Sequence, residues 1–175
     1  MVKIALAISF FLALSLPHKD TGPAKEKIQW LTLMQAQVLS ATEPRPILID
    51  LYTNWCYWCK VMDKKTYGDK RVIKYINERF YPVKLNPENA GTIVWDNKNY
   101  IYSKENKVNE FALIVTGGKL MYPNTVIFSE LKARPVSVPG FLEVQEIEPL
   151  LKYFGEGHDK SEGFEEFLTM FKKEW

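Results

Sequence analysis

Apolar and polar positions along the chain alternate in two rhythms, and the change between them marks its elements. In KEKIQWLTLMQAQVLSAT, residues 25–42, the apolar Ile28, Leu31, Met34, Val38 and Leu39 recur at steps of mostly three and four. That spacing predicts an amphipathic helix, which Pro44 and Pro46 end. ILIDLYT, 47–53, is an apolar, β-rich run broken by one acid, and it reads as a buried strand. Good helix formers run from Cys56 to about Met62, until Tyr67-Gly68 interrupts them. Asp69 then caps a second helix through KRVIKYINERF, with Val72, Ile73, Ile76 and Phe80 on one face. YPVKLN, 81–86, is the next strand.

The second half is less regular. Residues 87–110 are polar and mixed, and read as a small hairpin or an irregular insertion. VNEFALIVTGGK fits a helix closed by Gly117 or Gly118. NTVIFSE and RPVSVPGF read as neighbouring strands joined by a short turn, and EVQEIEPLLKYFG as a helix that Pro149 divides or kinks. After a flexible joint from Gly155 to Gly163, the residues Phe164, Phe167, Leu168, Phe171 and Trp175 form an apolar stripe expected to dock on the body. The early strand–helix–strand predicts a parallel pair with a right-handed crossover, and the late pair an antiparallel edge. The fold class is therefore α/β, a mixed sheet with helices on its faces.

Composition places these elements in one domain. The chain has 175 residues, 46% of them apolar, which is globular rather than disordered. A net charge of +2 with interspersed signs gives no basic stripe for nucleic acid and no acidic tail. The N-terminus departs from this pattern. Lys3 precedes the apolar run Ile4–Leu16, too short for a typical spanning helix and suited to a secretory signal, with Ala13 and Ser15 as small residues before a cleavage point. The boundaries expected are a signal over 1–16, a linker over 17–24, a main domain over 25–155 with the 87–110 insertion, and a tail helix over 156–175. An exported chain, periplasmic or secreted, would keep a disulfide.

The only two cysteines, Cys56 and Cys59, stand in NWCYWCK. With Cys56 at a strand-to-helix junction, unpaired backbone N–H groups and the helix dipole lower its pKa. Cys59, one turn later and slightly inward, can resolve a mixed disulfide formed on Cys56. Cys56 is the expected nucleophile, because it sits nearer the helix end and should be the more exposed. A closed zinc site needs four ligands, and the chain adds only His18 and His158. A haem attachment sequence would have histidine where Lys60 stands. A structural staple remains as an alternative, although so short a ring removes little chain entropy.

The segment ILIDLYTNWCYWCK, with its Trp-Cys-x-x-Cys-Lys core after a strand, resembles the active-site strand and helix of thioredoxin-fold proteins. It looks most like the secreted or periplasmic thioredoxin-like group with a Trp-containing first helix, and is also similar to the C-terminal domain of the membrane thiol–disulfide electron transporter. The resemblance covers most of 28–154. It implies a thioredoxin-like sheet with an N-terminal helix and an additional C-terminal one. It also implies thiol–disulfide exchange through a Cys56–Cys59 disulfide with no other cofactor and no metal.

Several residues carry the family's motif. Trp55 matches the tryptophan before the nucleophile. Asp50 matches the acid beneath the cysteines that moves a proton to or from the second one, and its alternative reading is a strand-end carboxylate. Lys84 matches the lysine beside that acid, or is a surface lysine lying along the body. Pro123 matches a cis-proline opposite the cysteines, which would set the backbone of Tyr122 beside Cys56; an ordinary trans-proline is the alternative. Gly140 matches a glycine near the substrate groove. Tyr57-Trp58 departs from the family's usual dipeptides, so the redox potential is open; the lack of a histidine there leans toward a reductant, and the aromatic rim suits protein surfaces. Protein thiols or disulfides and a thiol donor, such as a membrane transporter, are the implied partners. The competing readings are a non-catalytic binding module with a structural disulfide, and an oxidase or isomerase of the same fold.

Overall fold

The computed structural model describes residues 26–89 and 91–175. The expected signal and the whole of the expected linker fall outside those residues. Helix α1 (Leu33–Thr42) is followed by strand β1 (Ile47–Leu51), helices α2 (Tyr57–Lys65) and α3 (Lys70–Arg79), and strand β2 (Tyr81–Leu85). Strands β3 (Ile93–Trp95), β4 (Lys98–Tyr100), β5 (Tyr102–Ser103) and β6 (Val108–Asn109) precede helix α4 (Glu110–Val115). Strands β7 (Asn124–Phe128) and β8 (Val136–Pro139), helix α5 (Val144–Gly155), a 3₁₀ turn (His158–Lys160) and helix α6 (Phe164–Met170) complete the chain.

The main sheet has the order β2-β1-β7-β8. Strands β1 and β2 are parallel, while β1–β7 and β7–β8 are antiparallel, as the element order predicts. Strand β8 is an edge, bounded by Pro135 and Pro139; residues 129–135 join it to β7, a longer connection than the short turn expected. The crossover through α2 and α3 covers one face, where Leu48, Met62, Ile73, Ile76, Ile127 and Leu151 form one core. The other core packs Ile47, Ile49, Leu51, Val83 and Val126 beneath Ala36, Trp95 and Phe111.

Helix α3 begins where its cap predicts: the Asp69 carboxylate accepts the Arg71 N–H at 2.8 Å. Helix α1 starts later than its periodicity suggests. Thr32 and Gln35 form a capping box, and the preceding segment is extended, with Leu31 bridged to Val83 and its N–H donating to Pro82 O at 2.8 Å. Ile28 and Leu31 point to opposite cores, as period two requires. Met34, Val38 and Leu39 are exposed, and Ala36 and Ser40 face inward. The apparent apolar stripe combined an extended lead with the outer side of a helix, and Trp30 belongs to the lead rather than to a helix.

The 87–110 insertion consists of two hairpins, β3–β4 and β5–β6. Asp96 and Asn97 turn the first with positive φ. Asn109 fastens the insertion: its backbone N–H donates to Pro87 O at 2.7 Å, its side-chain amide donates to Gly91 O and Tyr100 O, and its Oδ1 caps α4. Pro149 sits inside a continuous α5. In the tail Phe167 is buried while Phe164, Phe171 and Trp175 pack on the core; Leu168 is exposed, and the helix ends at Met170 rather than spanning the whole tail. The fully buried Glu148 accepts the backbone N–H groups of Glu174 and Trp175 at 2.7 and 3.3 Å.

Candidate functional site

Strand β1 ends one short turn before the cysteines, with the Cys56 N–H donating to Thr53 O at 3.2 Å. Cys56 is the N-cap of α2, and its Sγ accepts the Cys59 N–H at 3.0 Å. The sulfur of this cap therefore sits where unpaired helix N–H groups favour a thiolate once the pair is reduced. Cys56 and Cys59 are joined as a disulfide. The two cysteines are 4% and 3% exposed, so the expected contrast between an exposed Cys56 and an inward Cys59 does not hold in the oxidised state.

Exposure belongs instead to the aromatics around them: Trp55 is 68%, Tyr57 69% and Trp58 54% exposed. Trp55 is held at its tip, where its indole N–H donates to Glu88 Oε1 at 2.8 Å and its ring meets Tyr122 edge-on at 6.0 Å. Trp58 lies against Phe141 at 5.6 Å and Tyr57 at 5.5 Å. The Tyr122–Pro123 peptide is cis. Gly140 donates its N–H to Pro123 O at 2.8 Å and holds a φ of 101°, a conformation that favours glycine. A groove of about 520 Å³ runs beside Trp55, bounded by Glu88, Lys107, Met121 and Tyr122. Burial, with the Glu88 charge, pushes the Tyr122 phenol up to about 12. Lys60 is exposed on α2, away from these contacts.

A polar row crosses the sheet. Lys84, Asp50 and Thr125 are in register across β2, β1 and β7. Lys84 Nζ donates to Asp50 Oδ2 at 2.7 Å and to Asp63 of α2. The same ammonium lies 5.2 Å from the Trp30 ring centroid and 4.9 Å from that of Tyr52. Lys84 is thus an ion-pair partner rather than a surface lysine. Asp63 stands one turn beyond Cys59 on the same face of α2, which sets Cys59 over the Asp50 row.

Burial raises the Asp50 carboxyl to about 6, with Lys84 pulling against it. Burial alone would lower Lys84, but Asp50 and Asp63 more than reverse that, and its net shift is upward. Asp50 can therefore exchange a proton near neutrality, which suits a group facing a thiol. Sequence reasoning missed Asp63 and Glu88. The four-residue step from Cys59 to Asp63 was the available signal; Glu88 lay inside the insertion and carried none. Among the described residues, no group of three or more His, Cys, Asp or Glu side chains gathers as a metal site would.

The family model described as "Thioredox_DsbH: Protein of unknown function, DUF255" matches residues 21–109, just over half of the chain. Among solved structures, a DsbH oxidoreductase is 13% identical with a TM-score of 0.54, the match covering 81% of this chain and 94% of that one. A thioredoxin-fold protein from Helicobacter pylori is 19% identical with a TM-score of 0.55, covering 71% and 78%. A thioredoxin from Thermus thermophilus is 14% identical with a TM-score of 0.50, covering 84% and 99%. At these identities the likeness shows the fold, which is the thioredoxin fold. No curated protein matches the chain. A bonded Cys-x-x-Cys pair at a helix start in this fold supports thiol–disulfide exchange.

Proposed function

The chain belongs to the Thioredox_DsbH family, and from that premise we propose that it is a thiol–disulfide oxidoreductase that reduces protein disulfides outside the cytoplasm. The observation that carries this reading is the Cys56–Cys59 disulfide at the start of α2, following a strand whose Asp50 carboxyl is buried and pushed up to about 6. In the reduced protein, the Cys56 thiolate attacks one sulfur of a substrate disulfide. A mixed disulfide forms, and one substrate sulfur leaves and takes a proton. Cys59 gives its proton to Asp50, and its thiolate attacks Cys56 Sγ. The internal disulfide forms, and the second substrate sulfur leaves and is protonated from Asp50 or solvent. Two electrons and two protons pass to the substrate, and a donor dithiol returns them. The pair itself is the redox centre, so no further cofactor enters these steps.

The cis-Pro123 loop and Gly140 suit an extended substrate segment pairing with the backbone of Tyr122. The exposed Trp55, Tyr57 and Trp58 suit an apolar protein surface. The Ile4–Leu16 run supports export, and a membrane thiol–disulfide transporter is a suitable donor.

Thiol titration in glutathione and dithiothreitol buffers, paired with insulin reduction, tests the reading. The pair should cycle between dithiol and disulfide, Cys56→Ser should lose exchange, and Cys59→Ala should trap a mixed disulfide. Full activity in Cys56→Ser, or a pair that never exchanges, would sink it.

A further inference from the structure

The polar row holds groups that these steps leave unused. Thr125, opposite Asp50 on β7, is wholly buried. Tyr67, from the turn that closes α2, is more than nine-tenths buried. Neither the Thr125 Oγ1 nor the Tyr67 hydroxyl makes a well-formed hydrogen bond among the described residues, although the two hydroxyls approach one another. A buried hydroxyl without a partner costs free energy, and two of them beside a carboxyl make a site for a shared acceptor or a bridging water. The Tyr67 ring is fixed by Trp30, edge-on at 5.3 Å, with Lys84 Nζ 5.9 Å from its centroid. On the surface side of Lys84, a groove of about 300 Å³ is bounded by Trp30, Asp63, Tyr67 and Lys84.

We propose that Tyr67 and Thr125 are positioning residues for Asp50: their hydroxyls complete its hydrogen bonding through a bridging water, and favour the carboxylate that must re-form after each turnover. The inference rests on the oxidoreductase reading for its purpose, but not for its geometry. Lys84 faces Asp50 from β2, and the Asp63 charge acts on it from α2. Thr125 comes from β7 and Tyr67 from the turn after α2. Burial, then the Asp50 charge, hold the Tyr67 phenol well above its usual range; the nearby Thr125 hydroxyl acts the other way, and Asp63 adds a smaller push upward. Tyr67 is therefore a neutral donor throughout the working pH range. A neutral donor to a carboxylate favours its charged form, so the two hydroxyls oppose the effect of burial on Asp50.

The test is an NMR titration of the Asp50 carboxyl carbon in the oxidised full chain, where no exchange chemistry is needed. The wild-type inflection is expected at about 6. Tyr67→Phe and Thr125→Val should each raise it by about half a unit or more, and Thr125→Ser, which keeps the hydroxyl, should retain the wild-type value. Inflections that stay put or fall in both Tyr67→Phe and Thr125→Val overturn the proposal. Exchange assays are run separately. Raised inflections in a protein that never exchanges leave the positioning role standing and remove the oxidoreductase reading. Unmoved inflections in an active enzyme do the reverse.

Discussion

The two faces of the central sheet use the same strands differently. On one face β1 places Ile47, Ile49 and Leu51 with Val83 and Val126 under a cover of Ala36, Trp95 and Phe111, all apolar. On the other face Leu48 and Ile127 continue an apolar core only as far as the next row, where Lys84, Asp50 and Thr125 stand abreast. The first face supplies burial. The second gives up apolar side chains at one row that is still buried at Asp50 and Thr125. A buried ion pair is weak evidence for stability, because desolvation offsets much of the attraction. Its cost is consistent with the proton exchange proposed for Asp50.

Substitutions on each face test that division, and the largest effect belongs to the apolar one. Trp95 packs on Phe128 at 4.6 Å and Phe111 at 5.4 Å. Trp95→Ala should cost about 3–5 kcal/mol in denaturant unfolding and leave the Asp50 titration where it was. A smaller loss would mean the insertion merely rests on the sheet. Asp50→Asn should act in the opposite direction. The folded state keeps the Asp50 proton up to about 6, whereas the unfolded chain releases it near 3.8. Wild-type stability therefore falls as pH rises through that window. Above it, Asp50→Asn should be the more stable protein by about 2–3 kcal/mol, with a slower resolving step. Unfolding at pH 4 and pH 8 checks both the sign and the window; equal stabilities at pH 8 would make the row a structural pair.

Smaller effects concern the cover. Thr32→Ala removes the α1 cap, where Thr32 Oγ1 accepts the Gln35 N–H at 3.2 Å, and should cost about 1 kcal/mol by thermal unfolding. Val38→Lys, on the exposed side of the same helix, should change stability by no more than about 0.5 kcal/mol. A large loss there would return Val38 to the core that its spacing suggested.

Elements whose signals were local and agreed with one another were legible in the sequence. The Asp69 cap and the Val72, Ile73, Ile76 and Phe80 face define α3; the strand before Cys56, the cis-Pro123 and the Asp50–Lys84 pair lie where the motif implies. The start of α1 was misread because an extended lead and a helix surface happened to share a three-and-four spacing. The insertion was obscured because short hairpins bury few residues, chiefly Trp95 and Val108; its Asp96-Asn97 turn was the readable sign. Asp63 and Tyr67 resemble surface and turn residues in a linear reading. Only the fold brings them to Lys84.

Strand β8 has a further consequence for how copies of the molecule meet. An open sheet edge is a template on which other chains can add strands and aggregate. This edge is four residues long, and the prolines at 135 and 139 lack the N–H that an incoming strand would need. Edge-to-edge growth is blunted there, so two copies of the molecule have little on this side to pair through.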